Sequence, residues 1–189
     1  MIGSNRGVLA GAVLALSAVL LPAAPATAGT ASVPDAAGDS KQAVDLLRLD
    51  VRHAAPTSSR RLVLRARHAG LPPFSSGTFT TVTFWIDVNR ANPGPEFVSD
   101  VSPNTGGISL SRVGGWGRRG ERVEPCPGLR ATADVFSDGP VVLRVPRVCI
   151  GEPRRVRAAV VAVGETVGGD VVGRDWVGGR RHWSPWVRR

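Results

Sequence analysis

The chain is poor in the residues that most catalytic and metal-binding schemes require. It has two cysteines, three histidines and one methionine, and Lys41 is its only lysine. Three dispersed histidines supply no H-E-x-x-H helix, and no serine sits in a G-x-S-x-G elbow, so the common zinc-hydrolase and nucleophile-elbow signatures are absent. Two cysteines are too few for a zinc site built from cysteine alone. No stretch carries a convincing amphipathic helical period. The longest apolar run, Gly7 to Leu21, is 15 residues, short of the roughly 20 that span a bilayer as a helix.

That run has a different explanation. Arg6 precedes it, and a small-residue segment ending Ala26-Thr27-Ala28 follows it. A basic start, an apolar middle and an A-x-A end are the marks of a secretory signal peptide, so residues 1–28 are expected to be removed on export. No cysteine directly follows the apolar run, and a lipid anchor is not indicated. The expected localisation is extracellular, with no membrane span after cleavage. The remaining 161 of 189 residues suit one domain. Residues 29–41 are small and polar, a flexible lead-in, and residues 42–189 form the domain with a Trp/Arg-rich C-terminal segment.

Loss of Arg6 from the 24 basic residues leaves 23 against 15 acidic ones, a balance of +8. Arginine almost alone supplies the charge. A GC-rich genome produces that bias by codon usage, along with abundant Gly, Ala, Pro and Val. The charge still attracts anionic polymers without a specific site. The arginines occur as pairs (Arg118-Arg119, Arg154-Arg155, Arg180-Arg181) and never as a basic tail, so no specific nucleic-acid binding is expected.

Period-2 patterning dominates the domain. Leu47, Leu49 and Val51 alternate with charged residues, as do Leu62, Leu64 and Ala66 beyond a turn-rich stretch. Val82, Phe84, Ile86 and Val88 form one face of the strongest strand, opposite Thr83, Trp85 and Asp87. Phe97 to Val101, Ile108 to Val113 and Arg155 to Val163 suit further strands. Leu129 to Val135 and Val141 to Val145 flank Ser137-Asp138-Gly139-Pro140 as a hairpin. Gly164 to Gly179 carries no assignable pattern. The expected fold is all-β, an antiparallel β-sandwich of about eight strands. Cys126 and Cys149 bracket the second hairpin and, in an exported chain, are expected to form one disulfide across its open ends.

Two acidic groups invite calcium, which takes six to eight oxygen ligands. One is Asp35 and Asp39 with Asp45; the other is Asp87, Asn89, Glu96 and Asp100. Neither has EF-hand spacing, and turn chemistry accounts for the same residue types. His53 and His68 fall on apolar strand faces and suit structural roles. Trp116 lies in a glycine-rich loop beside Arg118 and Arg119; Trp176, Trp183 and Trp186 share the C-terminal segment with Arg180 and Arg181. Tryptophan stacks on sugar rings and arginine binds anions, whereas the structural alternative is that these aromatics cover the sandwich.

Three segments together resemble largely uncharacterised secreted β-sandwich proteins of high-GC Gram-positive bacteria: Pro34-Asp35 to Gly38-Asp39, Trp85-Ile86-Asp87 to Pro95-Glu96, and Val145-Pro146-Arg147-Val148-Cys149-Ile150-Gly151. The resemblance implies a signal peptide, a β-sandwich and one disulfide, and carries no activity. A fainter likeness is to DOMON-like and carbohydrate-binding sandwiches, in which an acidic lead-in precedes the strands; without a methionine after residue 28, a Met-ligated haem is excluded. Trp183-Ser184-Pro185-Trp186 also matches the W-x-x-W pattern of Trp/Arg ladders in animal modules. The expected function is non-enzymatic binding of an acidic or sugar polymer at the cell envelope. The alternatives are a hydrolase of envelope material, with acids from the Asp87–Asp100 region, and a module that binds or inhibits a protein partner.

Overall fold

The computed structural model describes residues 29–40, 45–53, 60–70, 77–92, 94–117, 120–133 and 139–189. The expected signal peptide, residues 1–28, lies outside them. The described residues contain no α-helix. They form two antiparallel sheets packed face to face, a β-sandwich. Eight strands have six or more residues: β1 (Gly29–Pro34), β2 (Leu46–His53), β3 (Arg61–His68), β4 (Thr78–Asp87), β5 (Phe97–Ser102), β10 (Val141–Pro146), β11 (Arg155–Thr166) and β12 (Val171–Trp176). Shorter ones are β6 (Gly107–Ile108), β7 (Ser111–Arg112), β8 (Glu121–Arg122), β9 (Arg130–Thr132) and β13 (Val187–Arg188).

One sheet runs β1-β2-β3-β10-β9; the other runs β12-β11-β4-β5-β7-β8, with β6 on β5 and β13 on β11. Alternation along each strand decides which side chains meet between them. Leu49, Val51, Leu62, Leu64, Leu143 and Val145 point inward from the first sheet; Val82, Phe84, Ile86, Val156, Ala158 and Val160 point inward from the second. Burying one such Val, Ile or Phe contributes about 1.5–3 kcal/mol. His53 and His68 lie on this inner face, buried as their strand positions require.

The disulfide joins Cys126 to Cys149, with Cα atoms 5.6 Å apart. It closes the open end of the β9–β10 hairpin, whose register pairs Ala131 with Leu143. Cys149 lies in a single 3-10 turn, Arg147–Ile150, that carries the chain from β10 toward β11.

Three details depart from the period-2 reading. Residues 29–34 are a paired edge strand rather than a loose lead-in: Ala31 and Val33 alternate inward, in register with Val51 and Leu49. Gly29 is needed at its start, because a Cβ there would fall 2.2 Å from the Arg188 carbonyl oxygen. A bulge between Leu46 and Arg48 buries Leu46 fully and leaves Leu47 half-buried. The unassigned stretch after residue 164 contains β12, which pairs with the end of β11 through a second irregularity at Gly164/Glu165.

Candidate functional site

The outer face of the larger sheet carries the tryptophans. On β4, Thr83, Trp85 and Asp87 point outward; their β11 partners in register are Val161, Ala159 and Arg157. β12 adds Trp176 opposite Val161 and Arg174 opposite Val163. The 114–117 loop lays Trp116 against this face. The Trp116 ring lies 5.1 Å from that of Trp85, 5.7 Å from Trp176 and 4.7 Å from Trp183.

The C-terminal segment crosses this face and is pinned by Ser184. Its buried hydroxyl accepts the Ala158 N–H at 3.0 Å, while its own N–H donates to the Ala158 carbonyl at 2.8 Å. Trp183 and Trp186 then flank Arg157, whose guanidinium carbon is 4.7 Å from each ring centroid. The short W-x-x-W match therefore corresponds to a real Trp–Arg–Trp stack. Arg157 also donates from Nε and Nη2 to Oδ2 of fully buried Asp87, at 2.7 and 2.6 Å. Arg181 caps the opposite end, 5.5 Å over Trp116.

Beside this stack is a cleft of about 290 Å³. Trp85, Trp116, Trp176, Thr83, Val161 and Val163 supply its apolar and hydroxyl walls; Arg174, Arg180 and Arg181 supply its charge. No carboxylate among the described residues lines it. Trp85 Nε1 is shielded from solvent and has no hydrogen-bond partner among the described residues. Of the residues expected at a ligand site, Trp116, Trp176, Arg180 and Arg181 line the cleft, and Trp183 and Trp186 buttress it. Arg118 and Arg119 lie outside the described residues. Sequence reasoning misses Trp85, Arg157 and Arg174. Their signal is the outward half of the β4 and β11 alternation, which identifies a face but not what lies on it.

The second acidic group is occupied by the protein itself. Asp87 Oδ1 accepts the Asn89 N–H at 2.9 Å and Asn89 Oδ1 accepts that of Ala91. Glu96 accepts the Val88 N–H and the Asn92 amide. Asp100, on β5, accepts the Thr83 hydroxyl at 2.7 Å. Burial, with repulsion from Asp87, raises the Glu96 pKa. The structure thus brings Asp87 and Glu96 together at the β4–β5 turn, each engaged by backbone donors, and sets Asp100 along the strand.

A broader groove of about 500 Å³ lies on the outer face of the other sheet, lined by Thr30, Ser32, Asp50, Arg52, Val63, Arg65 and Arg144 among others. It is larger but flatter in chemistry, with no aromatic wall among the described residues. The described residues include no helix long and apolar enough to cross a membrane. No protein-family model and no curated protein matches the chain.

Proposed function

We propose that this is an exported, non-enzymatic binding protein that takes an acidic sugar unit of an envelope polymer into the tryptophan–arginine cleft. One observation carries the reading: three indole rings and three arginines share the walls of one cleft that no described carboxylate lines. A pyranose ring offers apolar C–H faces to indole, and a carboxylate or other anionic substituent offers a partner to a guanidinium. At about 290 Å³ the cleft is at the small end of ligand pockets, the size of one sugar unit rather than an extended chain. The Arg52, Arg65 and Arg144 side chains on the opposite face support long-range attraction of the same polyanion.

The test is co-sedimentation with purified cell wall across a salt series. Simple charge attraction is screened well before about 0.5 M salt, so a stacked site retains binding there and Trp116→Ala loses it. Binding that vanishes at modest salt, or that Trp116→Ala leaves untouched, overturns the cleft as the site.

A further inference from the structure

Asp35, Asp39, Asp45 and Asp175 gather where three separate segments meet. Asp35 and Asp39 lie on the turn after β1, Asp45 immediately precedes β2, and Asp175 lies on β12. One carboxylate oxygen from each of Asp35, Asp39 and Asp175 falls within 4.8 Å of the others. Backbone donors hold the carboxylates in place: Gly178 N–H to Asp35 Oδ1 at 3.0 Å, Gly38 N–H to Asp45 Oδ2 at 2.8 Å, and Leu46 N–H to Asp175 Oδ2.

Asp175 is only 6% exposed, and no ion pair among the described residues involves any of the four aspartates. Asp35 Oδ2 and Asp45 Oδ1 are shut off from solvent with no hydrogen-bond partner among the described residues. Asp175 is the one buried member, Asp35 and Asp45 are half-buried and Asp39 is exposed; a buried carboxylate without a cation is costly.

We infer that Asp35, Asp39 and Asp175, with Asp45 beside them, form a calcium site that ties the β1–β2 connection to β12. All available donors are hard oxygens, and Ca²⁺ sits about 2.3–2.6 Å from such ligands. Oxygens up to 4.8 Å apart can therefore share one such centre. The inference is independent of the polymer reading, although Asp175 adjoins Trp176 and so links the ion to one wall of the cleft.

The test is calorimetric titration of the purified, EDTA-treated protein with CaCl2, paired with thermal unfolding. The expected result is one Ca²⁺ per chain and a rise in Tm of about 5–10 °C at a hundredfold excess over Kd. Asp35→Asn and Asp175→Asn should abolish the heat and the Tm response. Because they relieve repulsion, their Tm in EDTA should equal or exceed that of the parent, which separates loss of a ligand from loss of the fold. Absence of any calcium response overturns the inference. So does a full response retained in both variants, or a response to Mg²⁺ without one to Ca²⁺.

Discussion

Replacing Arg157 by Met tests the energetic logic of the tryptophan face. The aliphatic part of the side chain is kept between Trp183 and Trp186, while the guanidinium that pairs with Asp87 is removed. Asp87 is fully buried and the Arg157 side chain is 22% exposed. Stripping one partner from a buried pair leaves an uncompensated charge and costs about 3–5 kcal/mol. Loss of two cation–indole contacts adds roughly 0.5–1 kcal/mol each. Against a typical net stability of about 5–15 kcal/mol, the variant should lose a large fraction, and its Tm should fall by about 8–28 °C for a domain of this size. Urea unfolding with a constant m-value measures the loss directly. The double variant Arg157→Met/Asp87→Asn should recover much of it, since an asparagine oxygen can still accept the Asn89 N–H while the buried charge is gone. A loss below about 1 kcal/mol in the single variant would refute the reasoning, as would simple additivity in the double-mutant cycle.

Two further outcomes rest on the disulfide and on a buried histidine. Cys126→Ser/Cys149→Ser should lose about 3 kcal/mol by urea unfolding, the loop-closure value for a 23-residue separation; an unchanged midpoint would show that β9 and β10 hold together without the staple. Burial, reinforced by the charges of Arg147 and Arg189, lowers the pKa of His53 from its usual 6.5. The unfolded chain then takes up the proton more readily, so this contribution to stability is present above pH 6.5 and is lost as pH falls toward the folded pKa. Unfolding midpoints measured from about pH 7.5 to 5 should decline, and His53→Leu should flatten the decline; a slope unchanged by that substitution would assign it to other groups.

Strands with a clean apolar alternation are legible in the order of residues alone. β4, the β9–β10 pair and the body of β2 and β3 all place the expected residues inward, because hydrophobic burial is the force that sets their register. The elements that escape such a reading are edges. β1 has only Ala31 and Val33 to bury, and β12 interrupts its pattern with Gly173, Arg174 and Asp175. Their pairing comes from neighbours that sequence periodicity does not reveal. The same holds for the candidate sites. Trp183 and Trp186 stand out as a motif, yet the arginine they hold belongs to β11. Asp35, Asp39 and Asp45 stand out as a group, yet the buried Asp175 that joins them comes from β12. Composition identifies the members of a cluster; only the topology of the sheets brings the distant ones together.

The pairing of β13 with β11 has a consequence for the order in which the molecule can assemble. Gly29 at the start of β1 packs against the Arg188 backbone, so the two ends of the described chain meet at one seam. Hairpins can form from local segments, but this seam cannot be sealed, nor Trp183 and Trp186 stacked on Arg157, before residues 183–188 come back to β11. The tryptophan face thus depends on a segment distant in sequence from the β4 and β11 strands that carry it, and Val187 and Arg188 fasten that segment against β11.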